Sequence, residues 1–371
     1  MVFLPQEQAS DDSAERTKPE KRIVMEEDVF YMQRCLQLAR LGRFYVAPNP
    51  MVGAVLVREI RKPDGTVGKE VVGEGWHHFF GGPHAEVGCF RDAEERGCRT
   101  FGDCTLYVSL EPCCHYGKTP PCALLIREKG VRRVVVGMQD PNPQVAGKGL
   151  AILREAGIEV TCGILEDKCR SLNRRFVCLH EKHRPYVTLK WAQSADGFLD
   201  RMRDTDNPGG GPVLLSSPLT KQLVHRMRAC NMAIMVGTRT ALLDNPRLLT
   251  TRWSGRNPVR IVPDRHHVIP ADSRIFSDDA QTGIYDRQTD FPFILSDLAS
   301  RGVHSLLIEG GAALFRHILE TDLWDEMQVE VAPVRLGGGV PAPSLPAEAV
   351  LTADYNGHRL YRLLRPRTEK A

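Results

Sequence analysis

A few side chains in the first half of the sequence have the types and spacing of a catalytic metal site. His84 and Glu86 stand two residues apart, and two thiols follow at Cys113 and Cys122, the first directly after a proline. Zinc favours imidazole and thiolate ligands, and three protein ligands leave its fourth position to water. Because zinc lowers the pKa of a bound water to about 7, these residues predict a hydrolytic zinc centre.

Glu86 lies on the same helical turn as His84 and is not needed as a ligand, so its carboxylate is free to move protons to a departing amine. Two other interpretations remain open. The three ligand candidates can be core thiols and a hydrogen-bonded histidine, or they can form a closed structural zinc site. The closed site is less favoured, since it needs Cys114 or His115 as a fourth ligand from a strained position.

The elements around these residues alternate between strand and helix, which predicts an α/β sheet. In the first half we expect helices at 28–41, 84–93, 122–129 and 149–156 and strands at 51–57, 71–73, 105–110, 131–137 and 158–163. A charged stretch at 165–182 predicts one joining helix. The pattern then restarts, with strands at 186–191, 233–236, 259–262, 305–308 and 327–331 and helices at 219–229 and 312–319.

A chain of 371 residues predicts two domains. We place a disordered polar leader at 1–24, a first domain at 25–170, a linker at 171–183 and a second domain at 184–371. The leader lacks the apolar segment of a secretory signal, and 11 cysteines without an export signal indicate reduced thiols in the cytoplasm. A net charge of +3 gives no support for a nucleic-acid partner, and no apolar run is long enough for a membrane span.

The pattern His-x-Glu followed by Pro-Cys resembles the zinc deaminases, although eight residues separate Cys113 from Cys122 instead of two. The longer form at 111–122, EPCCHYGKTPPC, resembles the deaminase domain of the bifunctional riboflavin-pathway enzymes. Three further motifs carry the same resemblance, at 48–55, 83–86 and 140–149.

This resemblance implies a cytidine-deaminase-like three-layer α/β/α domain that removes the 2-amino group of a phosphorylated diaminopyrimidine. It implies His84, Cys113 and Cys122 as zinc ligands and Glu86 as the catalytic residue. It also implies that the substrate-binding residues are Asn49, His77, His115 and Lys118. On the residues alone, Asn49 can be a turn residue between two prolines, His78 competes with His77, and the other two can be solvated loop residues.

Chemistry in the second half is less specific. Residues 305–315 read as a strand, a glutamate, two glycines and a helix, and the backbone N–H groups at such a helix start can bind an anion. The pattern is not the G-x-G-x-x-G fingerprint, so a packing role for the glycines fits nearly as well. Residues 236–244 form a second candidate, a strand that leaves through a glycine.

Motifs at 185–197, 235–246, 257–264 and 308–311 resemble the reductase domain of the same enzymes, which is similar in fold to dihydrofolate reductase. The resemblance implies NADPH-dependent reduction of the ribosyl group to ribityl. The implied substrate-binding residues are Lys190, Arg228, Arg252 and Glu309, and the implied cofactor-binding residues are Gln193, Thr240, Asp244, Gly310 and Gly311. We therefore expect one zinc per chain, NADPH, a small phosphorylated pyrimidine substrate and a homo-oligomer.

Two segments depart from the reductase pattern, at 198–211 and at 214–217, where a tryptophan common in the family is replaced by leucine. They leave open an alternative in which only the deaminase is active and the second domain serves binding or dimerisation. A nucleic-acid deaminase is disfavoured, because basic and acidic side chains are equal in number over 25–170 and such enzymes favour a basic surface.

Overall fold

The computed structural model describes residues 26–116, 120–204, 211–286 and 289–365, so the predicted leader lies outside the described residues. Two separate sheets carry the two halves of the chain. The first half contains strands β1 (Gly53–Arg61), β2 (Val67–Trp76), β3 (Cys104–Val108), β4 (Arg133–Val136) and β5 (Glu159–Cys162). Its helices are α1 (Glu26–Ala39), α2 (Ala85–Glu95), α3 (Cys122–Lys129) and α4 (Lys148–Glu155), and a 3₁₀ turn follows α1 at Arg40–Gly42.

The first sheet has the order β2-β1-β3-β4-β5, with β1 antiparallel to both neighbours and β3, β4 and β5 parallel. Apolar residues are buried on both of its faces. One cluster includes Phe90, Ile126 and Leu153 from α2, α3 and α4, and the other includes Met32 and Leu36 from α1. The sheet is thus the middle of three layers, and the predicted α/β/α architecture is confirmed.

The joining stretch differs from the prediction of one helix. It forms α5 (Glu166–Leu172) and α6 (Arg174–Lys182), which are separated at the buried Asn173. The amide of Asn173 donates to the Met51 carbonyl at 2.9 Å and accepts from the Met51 N–H at 2.8 Å. These two bonds satisfy the chain just before β1, and they explain why a residue that favours turns stands between the helices.

The second half contains a sheet of the order β10-β9-β8-β11-β6-β12-β15-β14. Its strands are β6 (Tyr186–Gln193), β8 (Ala233–Val236), β9 (Val259–Val262), β10 (Thr282–Ile284), β11 (Ser305–Gly310), β12 (Glu326–Val331), β14 (Val350–Tyr355) and β15 (His358–Leu364). A separate pair joins β7 (Phe198–Asp200) to β13 (Val340–Pro341). The first six strands in the sheet order are parallel, so their carboxyl ends share one edge.

Helices of this half are α7 (Pro218–Cys230), α8 (Thr238–Asp244), α9 (Phe291–Ser300) and α10 (Ala312–Leu319), with a 3₁₀ turn at Arg274–Phe276. Ser217 caps α7 by accepting from the Thr220 N–H, and a proline follows at the first turn. The sheet packs around Leu189, Trp191 and Phe315, which confirms the predicted α/β second domain. Within the described ranges no helix is long and apolar enough to cross a membrane.

Candidate active sites

The predicted metal ligands meet at the starts of two helices. His84 is the extended residue directly before α2, and Cys122 is the first residue of α3, after Pro121. His84 Nδ1 lies 3.5 Å from Cys113 Sγ and 3.3 Å from Cys122 Sγ. The Cys122 N–H also donates to Cys113 Sγ at 3.3 Å. One nitrogen and two sulfurs therefore converge on one point, as the sequence predicts.

These distances fit a zinc ion. The three ligand atoms lie within 4.8 Å of one another, and a tetrahedral zinc with bonds of about 2.0–2.3 Å requires ligand atoms roughly 3.5 Å apart. Hydrogen bonding to the neighbouring Cys122 thiol and to His84 holds the pKa of Cys113 well below its usual range. The cluster favours a thiolate, which is the form that binds a metal.

Glu86 points into the same place from the first turn of α2. Its side chain is buried, at 3% exposed, and burial raises its pKa to about 7. The carboxyl also hydrogen-bonds with the Cys122 thiol. Since Glu86 is not one of the three converging ligands, its position beside them suits a proton carrier.

Cys114 is not among the converging ligands, and its pKa is raised by burial and by the charge of Glu111. Glu111 itself was missed as a positioning residue. Its buried carboxylate accepts hydrogen bonds from four backbone N–H groups, those of Asp140, Gly147, Gly149 and Leu150, at 2.9–3.2 Å. It therefore ties the 140–150 segment to the chain that carries Cys113. Its place in the EPCC motif was the only available signal.

Two of the predicted deaminase substrate residues lie together beside the ligands. Asn49 Nδ2 is 3.0 Å from His77 Nε2, and the ring of His77 is 5.6 Å from that of His84. His77 is buried, whereas His78 stacks on Trp76 with centroids 4.1 Å apart. The structure thus places His77, not His78, near the metal cluster. His115 is exposed on the following loop, and Lys118 lies outside the described residues.

In the second half, three of the predicted substrate residues, Lys190, Arg228 and Glu309, form one half-buried group. Arg228 on α7 donates to Glu309 on β11 through Nε at 2.9 Å and Nη2 at 2.5 Å, and its Nη1 donates to the Leu249 carbonyl. Burial lowers the pKa of Lys190, against the raising effect of the Glu309 charge. Burial alone would raise the pKa of Glu309, but the charge and hydrogen bonds of Arg228 lower it.

Arg252 stands apart from this group. It is exposed. Burial lowers the pKa of His225, and the charges of Arg228 and Arg252 lower it further, whereas the charge of Glu309 raises it. A network of charges thus links the four predicted substrate residues, although only three of them are in the half-buried group.

The predicted glycine pair closes the carboxyl end of β11. Gly311 has a φ of +99°, which favours glycine, and a Cβ on Gly310 would come within 3.1 Å of the Thr240 side chain. The Gly237 N–H donates to the Gly310 carbonyl at 3.2 Å, so β8 and β11 end side by side. Backbone N–H groups at the start of α10 therefore lie beside Thr240. Such groups suit an anion, for example a phosphate of a dinucleotide.

The side chains of the other two predicted cofactor residues already have partners within the protein. Gln193 accepts from the Trp191 indole at 2.8 Å, and Asp244 pairs with Arg203 of the divergent segment. Ser216, from the second divergent segment, donates to Glu330 at 2.6 Å. Both departures from the family pattern thus make specific contacts. The motif at 236–244 begins as the strand predicted and continues as α8, because its glycine leaves the sheet.

Two family models match the chain. The model described as the cytidine and deoxycytidylate deaminase zinc-binding region matches residues 25–138. The model described as the RibD C-terminal domain matches residues 185–359. The zinc-binding match covers all three converging ligands, and the second match covers the Arg228–Glu309 group.

Whole-chain relatives match across both halves. The chain is 36% identical over 343 residues to riboflavin biosynthesis protein RibD of Bacillus amyloliquefaciens, covering 85% of this chain and 87% of that protein. It is 36% identical over 346 residues to RibD of Escherichia coli strain K12, covering 84% and 89%.

Solved structures also match most of the chain. RibD of Acinetobacter baumannii superposes with a TM-score of 0.79 at 32% identity, covering 91% of this chain and 99% of that chain. A diaminohydroxyphosphoribosylaminopyrimidine deaminase and 5-amino-6-(5-phosphoribosylamino)uracil reductase from Thermotoga maritima gives 0.77 at 33%, with the same coverage.

Proposed function

The chain belongs to the family of the riboflavin biosynthesis protein RibD, and we propose that the two sites described above carry its two successive reactions. It is a bifunctional enzyme of riboflavin biosynthesis, with a zinc deaminase domain and a reductase domain. Because relatives match across both halves, an enzyme that only deaminates, with a second domain for binding or dimerisation, has no support.

The substrate is 2,5-diamino-6-ribosylamino-4(3H)-pyrimidinone 5′-phosphate. This proposal is supported by the activities named for the relative from Thermotoga maritima, which matches 91% of the chain. The first reaction removes the 2-amino group as ammonia, and the second reduces the ribosyl side chain to ribityl. We assign deamination to the first domain and reduction to the second, with NADPH as the reductant.

In the first site, the convergence of His84, Cys113 and Cys122 carries the proposal. Zinc held by these side chains supplies a water of lowered pKa. Glu86 takes a proton from the attacking water and returns it to the amino group, which then leaves as ammonia. The positions of His77 and Asn49 beside the ligands suit hydrogen bonding to the edge of the pyrimidine. His115 and Lys118 complete the proposed substrate-binding set, in which the ammonium of Lys118 is suited to a phosphate as a point charge.

In the second site, Lys190, Arg228, Arg252 and Glu309 bind the sugar phosphate. NADPH, when bound by the cofactor residues named below, would supply the hydride for the former anomeric carbon. Lys190 is half-buried, interacts with Glu309 and donates to an oxygen of the opened sugar, while Arg228 keeps Glu309 ionised and oriented. Since Glu309 and a carbonyl already occupy the guanidinium of Arg228, the exposed Arg252 is the freer partner for a phosphate.

The proposed cofactor residues are Gln193, Thr240, Asp244, Gly310 and Gly311. Asp244 has to leave or share its ion pair with Arg203 to bind a cofactor.

A two-stage assay on the full chain tests the assignment. The purified protein should contain about one zinc per chain, release ammonia from the diaminopyrimidine phosphate, and oxidise NADPH only after that release. Oxidation of NADPH with the undeaminated substrate, at the rate seen with the deaminated one, would contradict the order. NADH serving as well as NADPH would contradict the cofactor assignment.

A further inference from the structure

A cavity of about 310 Å³ lies where the two domains meet, apart from the metal cluster. Its walls come from three parts of the chain. Residues 43–51 of the first domain form one wall and residues 172–176 of the linker form a second. The second domain forms the third wall, with β6, α7, β12, β14 and β15. The volume is at the lower end of the range that holds small molecules, roughly 300–1,000 Å³.

The lining contains buried polar atoms that lack a protein partner. Thr188, Asn231 and His304 are 2%, 5% and 6% exposed, and each has a side-chain oxygen or nitrogen without a hydrogen bond. The Nε atoms of Arg174 and Arg175 are also buried without a partner. Among the described residues only one other such atom occurs, in Arg133, far from the cavity lining. Buried polar atoms are normally satisfied, so this concentration marks an unusually polar interior directly behind the cavity wall.

The charge of the lining specifies that ligand further. Six basic side chains line the cavity, Arg43, Arg174, Arg175, Lys190, Arg226 and Arg362, against one acidic side chain, Glu330. Glu330 already accepts hydrogen bonds from Ser216, Thr220 and His358.

Arg174 and Arg362 pair with Glu326, but no described carboxylate lies within ion-pair distance of Arg43 or Arg175. Burial and neighbouring arginines lower the pKa of Arg43. Arg175 donates one N–H to the Cys230 carbonyl. Guanidinium groups without a carboxylate partner in a basic cavity match an oxyanion, because their N–H forks bind phosphate oxygens in pairs.

The cavity lining includes one residue from each proposed active site. Asn49 is bonded to His77 beside the metal cluster. Lys190 interacts with Glu309 of the reductase group. A ligand held by the arginines would therefore lie between the residues that handle the substrate before and after deamination.

We propose that this cavity is an oxyanion site that binds the 5′-phosphate of the deaminated intermediate and retains the molecule between the two reactions. The oxyanion site follows from the cavity itself, whereas the identity of its occupant rests on the proposed function. The ligand chemistry is that of a phosphate monoester carried on a sugar.

Cys230 provides a local probe, because it lines the cavity and is only partly buried. The full-length protein is alkylated with iodoacetamide, and mass spectrometry of its peptides gives the rate at Cys230. The partly buried Cys162 in the first domain is the internal reference. The probes are inorganic phosphate and ribose 5-phosphate, with sodium chloride at matched ionic strength. Both phosphates should slow alkylation of Cys230 several-fold and leave Cys162 unchanged, and ribose 5-phosphate should act at the lower concentration.

Matched variants locate the effect. In the double variant Arg43→Gln/Arg175→Gln the protection should be lost, and in Arg96→Gln/Arg316→Gln, which removes two exposed arginines, it should persist. Absence of protection in the unaltered protein, or its persistence without Arg43 and Arg175, would overturn the site. Equal potency of inorganic phosphate and ribose 5-phosphate would overturn retention of the intermediate. Since alkylation needs no turnover, these outcomes do not depend on whether the proposed reactions are correct.

Discussion

The metal centre of the first domain and the charged group of the second domain use different kinds of geometry. The metal ligands come from two helix starts and from the loop before α3, at most 38 residues apart in sequence, and their ligand atoms lie within 4.8 Å. Arg228 and Glu309 are 81 residues apart in sequence and belong to a helix and a strand. The cofactor edge next to them is formed largely by backbone, at Gly310 and Gly311.

The difference indicates how the function of each site responds to substitution of a single residue. A metal centre depends on a few side-chain atoms within bonding distance, so losing one ligand removes the function. A site formed by backbone and by a network of charges distributes binding over many groups, and single changes weaken it in steps. The following variants test this contrast.

The largest effect is expected from Cys113→Ser. Loss of one thiolate should release the zinc and reduce deamination to background, while NADPH-dependent reduction of the deaminated substrate continues. Metal analysis and ammonia release measure the change. The adjacent Cys114→Ser is the control, because Cys114 lies outside the converging ligands and should retain the metal. Equal loss of zinc in both variants would show that the assignment of ligands is wrong.

Glu86→Gln should keep the zinc but slow deamination by about 10²–10⁴-fold, since a positioned proton carrier contributes roughly that much. The measurement is kcat for ammonia release, together with metal content and the rate of the second reaction. Near-normal turnover with full zinc would mean that another group moves the protons.

Lys190→Met should lower kcat/KM for reduction by about 10²–10³-fold, the usual effect of removing one buried donor at a reacting oxygen. Ammonia release should stay near normal, because Lys190 belongs to the second sheet. Lys221→Met removes a partly exposed ammonium group on α7. It is the control and should leave reduction intact. A comparable loss of deamination in Lys190→Met would show one composite site and would contradict the assignment of one reaction to each domain.

The smallest effect concerns stability. Glu111→Gln replaces a carboxylate that accepts four backbone N–H groups, and it should lower the free energy of unfolding by about 2 kcal/mol. Glu155→Gln, an exposed change in the same domain, should have little effect. Chemical denaturation of both variants gives the comparison. Equal stability of the two would show that Glu111 does not hold the 140–150 segment.

The same contrast explains what could be predicted from the sequence. The ligand set was visible because zinc chemistry restricts both residue types and spacing. The buried strands were visible as apolar runs, and α3 and α10 were predicted with their observed bounds. The hairpin of β14 and β15 was missed, since its residues are mostly exposed or half-buried and show no apolar run.

Other features depend on contacts that no local pattern reveals. The break between α5 and α6 follows from the bonds of Asn173 to Met51, which is 122 residues away in sequence. The arginines of the interdomain cavity come from four separate segments, so nothing in any one of them indicates a shared site. Arg203 lies in a segment that departs from the family pattern, and only the structure shows its pairing with Asp244.

Asn173 also bears on how the gene can be divided. An expression fragment that stops at residue 170 lacks this amide and leaves the Met51 N–H and carbonyl without their partners. A fragment that continues to residue 182 keeps both bonds and the whole of α6. The sequence on its own suggests ending the fragment at the predicted domain boundary, but two hydrogen bonds of the first domain are made by Asn173 of the linker. Truncations for separate production of the deaminase should therefore be placed after α6.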